Sequence, residues 1–295
     1  MKNENKKNSY FYPNASKNVA PEIVSITSGK GGVGKTVFAV NLGILLGRMN
    51  YKVLLIDADL YLGNVDVAMG ITPKATINDI FKGTKNLEDV IMKTSFGIDI
   101  LPATSGILDM IKADKEVLTN LSKAFDKFHH NYDYVLIDTA AGIAESVLTF
   151  LQSSDKVVLV ATPEPASFTD VYAVIKILSQ QNKDIPLMMI VNKVNTIQAG
   201  QDLFNKMNLI VEKFLKLKLK YGGAIMNDPQ ILYSTQTQNP IVQKFQKTPS
   251  IYQMQLMTHR IINMEKTPPE KRGNFFERFK KHREIPNQNN EGISG

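Results

Sequence analysis

Cysteine is missing from the 295-residue chain. Its absence removes disulfides, thiolate metal sites and cysteine-held iron–sulfur clusters from the available chemistry. Long apolar runs are missing as well: no stretch of eighteen such residues occurs, and no apolar segment of signal-peptide type lies near residue 1. Neither a membrane span nor secretion is therefore expected, and the cytoplasm is the expected location. Internal repeats are absent. Histidine is scarce, and His129 and His130 are adjacent, so they cannot share one helical face as paired metal ligands would. What the chain does have is 43% hydrophobic residues, enough for one large α/β core.

Charge is unevenly placed. Residues 1–18 and 265–284 each carry a net +3 of the chain's +7, leaving the body nearly neutral. Extended nucleic-acid binding usually shows as a basic face on the folded domain. Short basic tails suit an anionic surface or an acidic partner better. Residues 1–20 are rich in Asn and Lys and are expected to form a flexible leader.

The most informative stretch runs from Pro21 to Met49. The apolar run Ile23, Val24, Ile26 leads into GKGGVGKT at Gly29–Thr36, and a helical pattern follows. Strand, glycine loop, helix is the order of a phosphate-binding loop of type G-x-x-x-x-G-K-T. Gly29, Gly31, Gly32 and Gly34 are expected to take positive φ and turn successive N–H groups inward. The helix N-terminus adds its dipole. Lys35 is placed to reach the β- and γ-phosphates, and Thr36 to offer its hydroxyl to Mg²⁺.

Two more apolar runs end in acid. Lys52–Ile56 leads into Asp57-Ala58-Asp59, and Tyr134–Ile137 into Asp138-Thr139-Ala140-Ala141-Gly142. Continuous apolar runs read as parallel strands buried on both faces. Ligands in open α/β sheets gather beyond the carboxyl ends of such strands, so these acids are expected near the phosphates. Asp138 fits a Walker B carboxylate that holds Mg²⁺ through water. Further strands are expected at Gly97–Leu101, Lys156–Ala161, Leu187–Val191 and Lys216–Ala224. Helices are expected from about residue 169 to 180, capped by Thr169-Asp170, from Thr196 to Leu215, and from a Ser250 cap to Met264, with a longer helix before them ending at Phe128. The Leu215–Lys220 alternation suits a half-exposed edge strand. The expected fold is α/β: a doubly wound, mostly parallel sheet with helices on both faces.

Lys30, directly after Gly29, makes the sequence resemble the deviant-Walker P-loop ATPases of the MinD/ParA type. GNVDVAMG, TPEPASFTD and the FFERF tail are most similar to the flagellar branch, FlhG. The resemblance spans roughly residues 22–282. It implies an ATP-bound homodimer in which Lys30 reaches the partner's phosphates, so that Lys30, Lys35 and Asp59 are the catalytic set. Asp59 would position the attacking water, Asp57 would support the Mg²⁺ shell, and Thr36, Asp59 and Asp138 would form the metal set. Gly142 would be a γ-phosphate-sensing hinge, and Tyr61 replaces the small residue common in this switch. The nucleotide-binding set further includes Gly29, Gly31, Gly32, Val33, Gly34 and Val37, with Asn192, Asn227 and Pro229 on the adenine side.

The domains expected are a leader (1–20), an ATPase domain (21–264), a linker (265–273), a basic amphipathic helix (274–283) and a disordered tail (284–295). On that helix Phe275, Phe276 and Phe279 share a face, with Arg278, Lys280 and Lys281 around it, a pattern fit for an anionic membrane or for packing on its own domain. By resemblance the role is regulation of flagellar number and placement at the inner face of the membrane. The partners implied are the GTPase FlhF, flagellar switch or C-ring proteins, or a flagellar transcription regulator. The Gln-Ala…Leu-Arg motif by which FlhG proteins engage FlhF does not occur in the leader. A MinD-type division role, a ParA-type partition role on DNA and a non-hydrolysing scaffold stay open as alternatives.

Overall fold

A computed structural model describes residues 20–59, 63–76, 79–80, 82, 84–102, 131–182, 184–245, 247–265 and 275–283. Within them one sheet contains β1 (Glu22–Thr27), β2 (Val53–Ala58), β3 (Met92–Lys93), β4 (Asp99–Leu101), β5 (Tyr134–Thr139), β6 (Lys156–Ala161), β7 (Leu187–Val194) and β8 (Lys220–Met226). The strand order is β3-β4-β2-β5-β1-β6-β7-β8. Every pairing is parallel except β3 with β4. β1 sits between β5 and β6, where the winding of the chain changes direction, so a crevice opens beyond its carboxyl end.

The helices are α1 (Lys35–Arg48), α2 (Val65–Met69), α3 (Leu87–Val90), α4 (Glu145–Gln152), α5 (Pro165–Gln181), α6 (Ile197–Leu215), α7 (Pro229–Gln236), α8 (Ile241–Lys244), α9 (Pro249–Ile262) and α10 (Phe275–Arg283). The strand period of two assigns them to opposite faces. Val24, Ile26, Val158 and Val160 point to one face and pack under α1, α8 and α9. Ile23, Val157 and Leu159 point to the other, where α4, α5, α6 and α10 cover them. Both faces are therefore apolar, and β1, β2, β5 and β6 are buried along their whole length. The doubly wound expectation holds.

Several boundaries differ from those read in the sequence. α5 starts at Pro165 with Glu164 as its N-cap, four residues before the expected start. A proline at the first helical position has no N–H to lose and a suitable φ, and it outcompetes the Thr169-Asp170 signal. Thr169 instead donates its hydroxyl back to the Pro165 carbonyl. The first residues expected in β8 are its lead-in: Lys216 closes α6 at φ 57°, and pairing begins at Lys220. The edge position itself is as expected. Thr248, not Ser250, caps α9 by accepting from the Ile251 amide, and Ser250 donates to Asp228. The helix expected to end at Phe128, His129 and His130, Tyr61, the leader before Ala20, the linker after Glu265 and the tail after Arg283 lie outside the described residues.

α10 packs on the domain. Phe279 is fully buried, and its ring centroid lies 5.1 Å from that of Phe150 on α4. Phe275 stacks over Phe150 at 6.4 Å. Arg278 Nη1 lies 2.9 Å from Asp155 Oδ1, and the other oxygen of that buried carboxylate accepts the Ile23 amide at 2.9 Å. Phe275, Arg278 and Phe279, expected at a membrane, are thus seated on the protein in this state. The physical reason is shared: an apolar stripe with a flanking cation suits a lipid interface and an apolar groove with a buried acid alike. Lys281 is exposed, and the side chains of Phe276 and Lys280 lie outside what is described.

Candidate nucleotide-binding site

The loop between β1 and α1 is held from several sides. Gly32 and Gly34 adopt φ of 75° and 93°, the left-handed region where glycine is favoured. Gly29 and Gly31 do not, which corrects the expectation of four positive-φ positions. Gly29 is needed for another reason: a Cβ there would lie 2.3 Å from the Asp170 backbone carbon on α5. The Gly142 amide, at φ 95°, donates to the Ser28 carbonyl at 2.8 Å and ties the end of β5 to the loop. From β7, Asn192 Nδ2 donates to the Val33 carbonyl and Lys193 Nζ to the Gly32 carbonyl, both at 2.8 Å.

The acids converge where the sequence placed them. Lys35 Nζ lies 2.9 Å from Asp138 Oδ1, and the Thr36 hydroxyl donates to Asp138 Oδ2 at 2.6 Å. Burial pushes the Asp138 carboxyl up, while the Lys35 charge and the Thr36 hydroxyl pull the other way. Asp57 accepts backbone N–H bonds from Asp59, Asn64 and Val65 at 3.1, 2.8 and 3.0 Å. It thus fixes the turn into α2. Burial, reinforced by the nearby Asp138, raises its pKa to about 7 against the effect of those N–H bonds. Asp59 lines the cleft itself.

That cleft is about 590 Å³, within the range of small-ligand sites. Its polar end is formed by Gly31 through Val37, and its far end by Ile225, Asn227, Ile231 and Leu232. Pro229 starts α7 beside it. Of the residues expected on the adenine side, Asn227 lines this part of the cleft, whereas Asn192 lies against the glycine loop beside Gly34. Asn192 lines the cleft, but its amide nitrogen holds Val33 and its oxygen accepts the Lys193 amide. This second duty depends on contacts between distant segments and has no local signal. Lys30 is absent from the lining and pairs with Glu164 at 2.6 Å.

Among the described residues no cluster of three or more His, Asp or Glu could hold a metal alone. Thr36 and Asp138, with Asp59 near enough to act on Asp138, form a sparse all-oxygen set. Such a set suits Mg²⁺, which keeps most of its waters and takes further oxygens from phosphates.

A glycine loop with its lysine, a strand-end acid on that lysine and a threonine beside both define a P-loop nucleotide hydrolase. The AAA domain family matches residues 21–190. The antiactivator FleN of Pseudomonas aeruginosa is 34% identical over 264 residues, 88% of this chain and 94% of that protein. The flagellum site-determining protein YlxH of Helicobacter pylori is 37% identical over 70% of each. The septum site-determining protein MinD of Pyrococcus horikoshii, solved with Mg-ADP, superposes with a TM-score of 0.66 at 28% identity, covering 82% of this chain and 96% of that one. The chain belongs to the MinD/ParA family of P-loop ATPases and, within it, is FlhG-like.

Glu164 and Lys193 escaped the sequence reading. Each touches the loop only through the folding of the sheet, 134 and 161 residues from its partner. The one available signal was their position at the ends of apolar runs.

Proposed function

We propose that the protein is an ATP-driven switch that dimerises through its cleft face with ATP and Mg²⁺ and sets flagellar number and placement. The placement of the two loop lysines carries this reading. Lys35 faces its own cleft, whereas Lys30 stands at the rim on a half-exposed pair, where it can serve a second subunit. The apolar rim adds support. Val67 and Leu232 line the cleft and are 49% and 61% exposed, and Ile143 beyond Gly142 is 49% exposed. Exposed apolar side chains around a polar cleft suit a like surface on a second copy. The names of FleN and YlxH support the flagellar assignment, and the near-neutral body disfavours DNA.

Membrane association, if α10 carries it, requires undocking, because Phe275 and Phe279 cannot face Phe150 and lipid together. No described helix is long and apolar enough to span a bilayer. Cytoplasmic residence with reversible attachment to the inner face of the membrane is the corresponding proposal.

Asp59 orients the attacking water in this reading, and Thr36, Asp59 and Asp138 would hold Mg²⁺. Asp59→Ala should keep ATP affinity, lose on the order of a hundredfold in phosphate release, and accumulate as a dimer by light scattering. Near-normal phosphate release would move the role to another group. Sedimentation with anionic vesicles and with DNA, with and without ATP, separates the membrane role from the partition role.

A further inference from the structure

Lys30 is held within its own subunit. Its ammonium bonds Glu164, and the two side chains are 45% and 57% exposed. Glu164 is fixed there by the backbone. It caps α5, Pro165 follows at the first helical position, and the first turns of α5 press against the loop at Gly29. The contact that seats the loop thus also sets the carboxylate beside Lys30. Around the pair stand Lys193 and Asp170. The Lys30 hydrogen bond and charge hold the Glu164 carboxyl below the usual range, with Lys193 adding to the effect. Glu164 in turn raises the Lys30 ammonium, with Asp170 adding a little.

Its own carboxylate competes with a phosphate on a second subunit for the Lys30 ammonium. We propose that Glu164 is a positioning residue that parks Lys30 on its own subunit, so that two such pairs must open before an ATP dimer closes. The inference rests on the cross-subunit reading of Lys30. Exposed pairs are individually weak, so parking sets a threshold and does not lock the lysine. A symmetric dimer opens two pairs, so the effects multiply. An exposed pair is worth about 1.4- to 5-fold in an equilibrium, and two are worth about 2- to 30-fold. Releasing the lysine should therefore ease dimerisation measurably.

The test is the dimer dissociation constant of the full chain by analytical ultracentrifugation with Mg²⁺ and a non-hydrolysable ATP analogue. Wild type, Glu164→Gln, Lys30→Ala and the double variant are compared, with ADP affinity measured alongside to separate nucleotide binding from dimerisation. Glu164 is more than half exposed at its side chain, so the glutamine costs the fold little. Glu164→Gln should dimerise about 2- to 30-fold more tightly at low salt, and the gain should shrink as salt screens the wild-type pair. In the Lys30→Ala background the glutamine should change nothing. If Glu164→Gln dimerises no better than wild type while Lys30→Ala still fails, parking is wrong and the cross-subunit lysine stands. If Lys30→Ala dimerises normally, both ideas fall together.

Discussion

Buried charge lies at both ends of this sheet, and it behaves differently at each. At the carboxyl ends, Lys35 lines an open cleft and pairs at 2.9 Å with the buried Asp138. At the amino ends, Lys156 and Glu22 pair at 2.9 Å with 0% and 3% of their side chains exposed, and Lys156 also donates to the Ile261 carbonyl. Beside them Asp155 is shared between the Ile23 amide and Arg278 of α10. The Lys156–Glu22 pair meets protein on every side. The upper pair is also buried, but its lysine lines the cleft and can exchange a carboxylate for a ligand oxygen. Two lysine–carboxylate pairs of equal length thus differ in use because one has somewhere else to go.

The lower end gives the largest expected effect. Lys156→Met leaves Glu22 buried without its ion partner and should cost about 3–5 kcal/mol of stability. Nucleotide affinity in the surviving folded fraction should be unchanged. Denaturant unfolding and ADP titration together check this, and a loss of affinity equal to the loss of stability would break the contrast.

Lys35→Ala should do the reverse. It removes a charged donor from the ligand and leaves Asp138 facing it, so affinity should fall on the order of a hundredfold or more. Stability should drop less than in Lys156→Met, since Lys35 lines the cleft and the space it leaves would admit water to Asp138. A stability loss matching that of Lys156→Met would mean that the upper pair is structural too.

The smallest effect is one of pH. Asp57 is raised to about 7 from an ordinary value of about 3.9. Between those values the folded chain keeps a proton that the unfolded chain has lost. The stability contributed by this group is therefore complete below about pH 4 and is lost as pH rises through about 7. The nucleotide-free melting temperature should fall across that window, and Asp57→Asn should flatten the fall. An unchanged slope in Asp57→Asn would assign the titration elsewhere.

The readable parts of this molecule are local ones. An apolar run followed by Asp fixes both a parallel strand and an acid at its ligand end, which is why Asp57, Asp59 and Asp138 were found without coordinates. Lys35 and Thr36 follow from the loop alone. The partners of Lys30 and Arg278 were hidden, because Glu164 and Asp155 reach them only after several strands have been ordered. α5 was misplaced because two start signals lay four residues apart, and the proline at the first helical position prevails over Thr169-Asp170. For α10 the sequence put Phe275 and Phe279 on one face, as found, but could not say what that face meets.

The close approach at Gly29 also bears on mutational tolerance. The four glycines of the loop look interchangeable in the sequence, but the folded chain treats them unequally. Gly29 is fixed by the backbone of α5, and Gly32 and Gly34 by their dihedral angles. Gly31 has an ordinary φ and nothing within 4 Å of where a Cβ would sit. In a library of variants, the isolated subunit would reject side chains at three of these positions and accept them at Gly31. Any selection against a side chain at Gly31 must then come from outside the subunit, which makes it a sensor of what the loop meets when the protein is at work.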